Sequence, residues 1–263
     1  MGRRFVIAGI AVALVALGVG AAMIVTPAAE SASSPATAGE LEGSFTASER
    51  VLVDGEHFFA RETIVDADAG EQRAVIAFED VEYDHYWAGD GERYTKITTS
   101  SAQRLDDALE ESDDQVVREL EGEYAAITRP PADVDSANDG PSSYVFPDRL
   151  VGSQLRMIAF EETNSTVVDG EPVEIHEPQT GWTAIDSEDT NREAMYVSNA
   201  GGEVHVGEGG RLHYANVTLE RTDAETWGEY LLERDAWTTT LEYEARETAE
   251  DVRPEWVGDV PEE

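Results

Sequence analysis

Apolar and polar side chains alternate with a period of two along much of the chain beyond residue 45. From His57 to Val65 the alternation puts Phe58, Ala60 and Ile64 on one face, and from Arg73 to Phe78 it groups Ala74, Ile76 and Phe78. Val81, Tyr83, His85 and Trp87 form a further row with Glu82 and Asp84 opposite. Near the end, Trp237, Thr239, Leu241, Tyr243 and Ala245 alternate with Thr238, Thr240, Glu242, Glu244 and Arg246. One wet and one dry face per segment predicts antiparallel strands. Phe58, Ile76, Phe78, Leu241 and Tyr243 are therefore expected to face a helix or a cavity, not solvent. Asp54-Gly55, Asp90-Gly91 and Asp169-Gly170 each sit between strand-like runs. Asp-Gly suits tight hairpins, where the central residues need positive φ. Gly201-Gly202 and Gly209-Gly210 punctuate Val204–Val206 in the same manner, so the strands are expected to follow one another as a meander.

Two stretches carry helical spacing instead. Ser101 to Ala126 places Leu105, Ala108, Leu109, Val116, Val117, Leu120 and Tyr124 at such intervals. Ser112-Asp113-Asp114-Gln115 matches a capping box, so two helices are expected to meet at Ser112. Pro147 to Ile158 begins with a residue suited to the first helical position and carries a stripe of Leu150, Val151, Leu155 and Ile158. The polar Pro/Gly loop Arg129–Ser143 separates them. Neither half holds enough alternating strands to close a core alone, which predicts one α+β domain over residues 45–258. Its expected form is a curved, mainly antiparallel sheet of about eight or more strands, with both helical stretches on the concave face.

The N-terminal pattern is different. Residues 5–25 form a run of 21 uncharged residues, and a membrane-spanning helix needs about 20. Arg3 and Arg4 precede the run and no basic residue follows until Arg50. This predicts a cytoplasmic tip (1–4), a single transmembrane anchor (5–25) and a domain facing outside. The rival reading is a cleaved signal, because Arg3-Arg4-Phe5-Val6-Ile7 loosely resembles a twin-arginine export signal. Residues 26–44, rich in Ala, Ser, Pro and Gly, read as a flexible linker, and residues 259–263 as an acidic tail.

Charge narrows the function classes. The chain carries 56 acidic against 18 basic residues, a formal net charge of −38. Arg3 and Arg4 precede the first acid, so residues 30–263 hold 16 basic against 56 acidic side chains, a net −40. No basic surface exists to release phosphate counterions, which excludes a nucleic-acid partner. The acidity is spread along the whole chain, and lysine occurs once, as Lys96. Such a surface suits molar salt, where the Debye length is about 3 Å and neighbouring carboxylates scarcely repel. The absence of cysteine excludes disulfides, thiolate zinc sites and cysteine nucleophiles.

No motif with a mechanism is complete. Asp66-Ala-Asp68-Ala-Gly70 and Asp133-Val-Asp135-Ser-Ala137 begin like calcium loops, but Glu71 and Asn138 stand where the turn glycine belongs. His57, His85, His176, His205 and His213 form no H-x-x-x-H pair, and Pro178 would break a zincin helix after His176-Glu177. No nucleophile elbow exists, and strand follows the glycines at 207–210, so they make no phosphate cradle. No catalytic residue, cofactor site or metal site is assigned, and a non-enzyme is expected. Asn164-Ser165-Thr166 and Asn216-Val217-Thr218 make Asn164 and Asn216 glycosylation candidates on an external domain.

The order of elements resembles a known group. The stretch Tyr86-Trp87 to Asp90-Gly91-Glu92-Arg93-Tyr94-Thr95, a helical insert, and the hairpin Val167-Val168-Asp169-Gly170-Glu171-Pro172-Val173 come first. Gly202-Glu203-Val204-His205-Val206 running into Gly210-Arg211-Leu212, and a last strand ending in Val252-Arg253-Pro254-Glu255-Trp256, complete the series. Over roughly residues 45–258 this is similar to haloarchaeal surface lipoproteins of unknown function, whose fold resembles the lipoprotein-carrier half-barrel. Those relatives carry a lipid-modified cysteine that is absent here, and the apolar run takes its place as anchor. The resemblance implies no catalytic residues. A half-barrel has a concave apolar face, so the first expectation is a membrane-anchored, non-enzymatic binding module that cradles a lipid or other apolar ligand. A structural or interaction protein of the envelope, with its concave face plugged, and a carboxylate-dependent extracellular hydrolase are the alternatives.

Overall fold

A computed structural model describes residues 43–120, 124–131, 149–168, 170–184, 194–222, 226–232, 235–247 and 252–260, together with Glu30, Ser31, Ala36 and Ala224. The expected anchor at 5–25, the tip before it, the Asp133–Ala137 motif and most of the linker lie outside the described residues. Among the described residues no helix is long and apolar enough to cross a membrane.

The strands are β1 (Glu30–Ser31), β2 (Phe45–Val53), β3 (Glu56–Asp66), β4 (Glu71–Phe78), β5 (Val81–Trp87), β6 (Arg93–Thr99), β7 (Gln115–Leu120) and β8 (Ala125–Arg129). They continue with β9 (Phe160–Val168), β10 (Glu171–Pro178), β11 (Gly181–Ala184), β12 (Ala194–Val206), β13 (Leu212–Thr222) and β14 (Ala236–Arg246). Helices α1 (Ala102–Glu110), α2 (Arg149–Leu155) and α3 (Trp227–Leu232) complete the regular elements among the described residues, with 3-10 turns over Glu208–Gly210 and Glu255–Asp259. All strands join one curved, open sheet in the order β1-β11-β12-β13-β14-β2-β3-β4-β5-β6-β8-β7, and the β9–β10 hairpin pairs with the far end of β12. Pairing is antiparallel throughout except for β1 with β11. The linker touches this sheet at two points: Glu30–Ser31 pairs with Thr183–Ala184, and Ala36 is buried in the core.

The expected meander holds for β2 to β6 and β11 to β14, whereas β14 lies beside β2, β8 lies between β6 and β7, and the β9–β10 hairpin branches from β12. Asp54 and Gly55 both take positive φ, 52° and 83°, and close the β2–β3 hairpin. Gly91 and Gly170 take φ of 94° and 91° between β5 and β6 and between β9 and β10. Gly201-Gly202 departs from expectation: both residues lie inside the 13-residue β12 rather than in a turn. Gly202 sits at φ 104°, and a Cβ there would stand 1.9 Å from the Asn216 carbonyl oxygen. The glycine is needed because two strands approach too closely for any side chain.

The register fixes the two faces, since directly paired residues point the same way. On the core face, Val217, Leu241, Val51, Phe59, Phe78 and Val81 form one transverse row. Ala215, Tyr243, Glu49, Arg61, Ile76 and Tyr83 form the next. Helix α2 lies over β14 and β2 on this face. Its Val151 and Leu155, with Ile158 beyond, are fully buried against Val217, Leu219, Leu241 and Tyr243. The stripe read from the sequence thus does seat a helix.

The helical reading of 101–126 holds only for its first third. Ser101 Oγ accepts from the Arg104 backbone N at 3.3 Å and caps α1. The helix buries Ala108 alone and lies along β6, so it does not cover the face with a leucine stripe. Ser112 Oγ accepts from the Asp114 N at 3.2 Å and makes a turn, not a helix start. Val116 and Val117 then enter β7, which pairs with β8. Ala125, Ala126 and Ile127 of β8 are at most 1% exposed, so joining the sheet outweighs the local helical preference.

Beyond β3 to β5 the outer face is also covered. Val252 and Val257 pack on Ile64 and Tyr86, with Trp256 beside them. The Trp256 Nε1 donates to Asp84 Oδ2 at 2.7 Å, and Arg73 grips the same carboxylate through Nε and Nη2 at 2.8 Å each. Asp84, which alternation places on a wet face, is buried beneath this C-terminal segment.

Candidate functional site

The core face changes character along its length. Over β12, β13 and β14 it is sealed: Val197, Val204, Val217, Leu219 and Leu241 are all 0% exposed. Over β3, β4 and β5 the same face opens. Phe59, Ile76, Val81 and Tyr83 are half-buried, Phe78 is 41% exposed, and Phe58 beside it is 44% exposed. Phe58 and Phe78 meet edge to face with ring centroids 5.1 Å apart. The expectation that both would face a helix or cavity is corrected here, whereas Leu241 and Tyr243 are buried as expected. The reason is reach. The β-bulge between Val51 and Leu52 turns Phe58 to the end of the sheet, and α2 stops over β14 and β2. Six neighbouring apolar side chains therefore remain partly wet at one end of the concave face.

A charged pair divides the open and sealed halves. Arg61 Nη2 stands 2.6 Å from Glu49 Oε1, and the two side chains are 8% and 1% exposed. Glu49 Oε2 also accepts from the Val151 backbone N of α2 at 3.2 Å. The pair therefore ties β2, β3 and α2 together at the boundary.

Farther along β5, Tyr83 and His85 stack at 6.0 Å, and His85 and Trp87 lie 5.7 Å apart. The His85 Nδ1 bonds to Thr95 Oγ1 at 2.9 Å. Burial, helped by the nearby Arg93, pushes the His85 imidazole down to about 4, so it is neutral near pH 7 and acts as a packed polar ring. Burial raises the Tyr83 phenol, and Glu111 just after α1 adds to the effect.

The sealed half holds another charge. Arg221 in β13 is 5% exposed. Its Nη1 donates to Gln154 Oε1 of α2 at 3.1 Å, and burial pushes its guanidinium down to about 10, still charged at neutral pH.

The residues singled out in the sequence do not converge. Asn164 lies on the exposed edge strand β9, and its Oδ1 accepts from the Ser165 N at 2.9 Å. Asn216 is exposed on the outer face of β13, beside a shallow groove of about 290 Å³ shared with Arg50, Tyr214 and Glu242. Asp66 Oδ1 accepts from the backbone N of Asp68 and Ala69 at 3.0 Å each, an Asx turn and not a calcium loop. Among the described residues no three His, Asp or Glu side chains gather as metal ligands. Trp182, Tyr196, Trp227 and Tyr230 do cluster, with centroids 4.4 to 6.1 Å apart, and they seat α3 on the sheet.

What the sequence reading missed were the buried charges. A signal for them exists: Glu49 follows Phe45 and Ala47 at even spacing, and Arg221 follows Ala215, Val217 and Leu219. A charge that falls on the apolar parity of a strand is a candidate for burial.

No known protein family matches the chain, and no curated protein matches it. Solved structures with low-scoring similarity include two proteins of bacterial origin. A DUF1329 family protein from Desulfovibrio piger has a TM-score of 0.21 and 9% identity, over 83% of this chain and 91% of that one. A protein from Vibrio parahaemolyticus, described as an outer membrane lipoprotein-sorting protein domain, has a TM-score of 0.22 and 10% identity, over 81% and 88%.

Proposed function

We propose that this protein is a binding module of the cell surface that holds an apolar or amphiphilic ligand at the open end of its concave face. One observation carries the reading: Phe58, Phe59, Ile76, Phe78, Val81 and Tyr83 adjoin one another and stay partly exposed on a face that is sealed elsewhere. Contiguous exposed apolar surface marks a site of binding. The rigid sheet positions these side chains without a ligand, so little order has to be gained on binding.

Native mass spectrometry of the full-length chain, purified in high salt, tests the proposal. A co-purifying lipid is expected. Because Phe78 is already 41% exposed, Phe78→Ala should cost about 1–2 kcal/mol, below the 3–5 typical of a buried phenylalanine, while the retained lipid is lost. Wild-type protein that carries no apolar molecule would sink the carrier and leave an envelope scaffold, which the sealed half of the face favours.

The membrane attachment belongs to the same proposal. Residues 5–25 remain as the anchor, with the domain outside, because 21 uncharged residues follow arginines found on one side only. N-terminal sequencing of native protein decides between anchor and cleaved signal. A mature start between residues 27 and 40 would overturn the anchor.

A further inference from the structure

Three arginines with buried or half-buried heads on this sheet face a carboxylate directly. Arg61 has Glu49 at 2.6 Å, Arg73 has Asp84 at 2.8 Å, and Arg93 has Asp114 at 3.5 Å. Arg221 is the most buried of the four, at 5% exposure, and its hydrogen-bond partner is the neutral amide oxygen of Gln154. Its Nε–H is buried and unbonded. In a chain with 56 carboxylates this is not for want of supply.

The surroundings point the same way. Arg221 is opposite Trp237 of β14 in the sheet register, and Thr239 stands diagonally next on the same core face. The Thr239 Oγ1 is also buried without a hydrogen-bond partner. A hydroxyl and a guanidinium edge, both without a hydrogen-bond partner, thus lie on neighbouring strands, and the Gln154 contact sets the guanidinium under the last turn of α2. A buried cation without a counter-ion costs several kcal/mol. The C-terminal end of a short helix offers roughly half an elementary charge, not a full one. The Nε edge of a guanidinium is the edge that grips a carboxylate or phosphate in bidentate fashion.

We propose that Arg221, with Thr239 beside it, is the anchor of an oxyanion-binding site that receives the carboxylate or phosphate group of a ligand. The site lies on the α2-covered half of the face, across β14 and β2 from the phenylalanine row, and stands independently of that row's occupant. The oxyanion completes the buried charge that is left unmatched among the described residues.

Thermal melting of the full-length chain at fixed chloride tests this, with three probes: inorganic phosphate, octanoate and octanol. A ligand that binds only the native state raises the melting temperature as its concentration passes the dissociation constant. Phosphate or octanoate is expected to raise it by several degrees in the wild type and not at all in Arg221→Met. Octanoate alone doing so identifies the head of an amphiphile; phosphate doing so identifies a free ion. Without added anion, Arg221→Met is expected to melt at or above the wild-type temperature, because it removes an unmatched buried charge. If that variant fails to fold, the Nε–H resonance of Arg221 in wild-type protein replaces it, and is expected to move on titration with phosphate or octanoate. The proposal is overturned if neither anion shifts the wild type, if Arg221→Met keeps the shift, or if the Nε–H resonance stays fixed. A stabilisation by octanol that is equal in both proteins overturns the Arg221 site while leaving the apolar reading intact.

Discussion

Transfer of the protein from about 3 M to about 0.05 M salt is expected to collapse the sheet, read as loss of the β signal in circular dichroism and of a cooperative melt. The cause is visible in particular pairs as well as in the net charge of −38. Glu161 stands directly opposite Glu177 where β9 meets β10, and Asp66 stands opposite Glu71 at the β3–β4 turn. Like charges in direct register destabilise a sheet by roughly 0.2–1 kcal/mol each. Added to the diffuse repulsion of the net charge, such terms weigh against the roughly 5–15 kcal/mol that holds a whole domain. At molar salt the Debye length is about 3 Å, shorter than the spacing of most such neighbours; in dilute buffer it exceeds 10 Å and the repulsions add up. Few of the exposed pairs offset this, because Arg246–Glu244 and Arg104–Asp80 are solvent-facing contacts of small worth. An unchanged spectrum and melting temperature in dilute buffer would remove the basis for a salt-adapted origin.

Much of the fold was legible because hairpins write themselves locally. Asp54-Gly55 and the glycines at 91 and 170 set turns, and alternation set which side of β5 and β14 turns inward. The α2 stripe was legible for the same reason, since Val151, Leu155 and Ile158 are one sequence-local face. Long-range partners were not. Asp84 looked wet until Trp256, 172 residues away in sequence, closed over it. Val116 and Val117 fitted a helical interval, yet β8 offered them a sheet edge instead. The candidate site was half legible: Ile76 and Phe78 were assigned to the right face, but their exposure depends on where α2 ends. The burial of Arg221 was legible only from its place on the apolar parity of Ala215, Val217 and Leu219, since its residue type alone reads as solvated.

The buried pair between the open and sealed halves predicts the largest effect of a single substitution. Glu49→Leu is expected to lower stability by about 3–5 kcal/mol, the usual result of breaking a buried ion pair by removing one partner. Two losses combine. Arg61, 9% exposed, loses the carboxylate 2.6 Å from its Nη2. The Val151 N loses its acceptor at 3.2 Å, so the first turn of α2 loosens from β2. Salt does not rescue this variant, since the pair is shielded from solvent and molar salt screens surface charge only. The double replacement Glu49→Leu with Arg61→Met separates the two losses. It removes both charges together and fills the space with apolar groups, which is often neutral for a buried pair. Denaturant midpoints for the two single variants and the double variant, taken in about 3 M salt, complete the cycle. A double variant as unstable as Glu49→Leu would place the cost in the α2 anchor rather than in the unpaired guanidinium. A near-native Glu49→Leu would mean that the pair contributes nothing to holding α2 on the sheet, and the boundary between the two halves of the face would have to rest on apolar contacts alone.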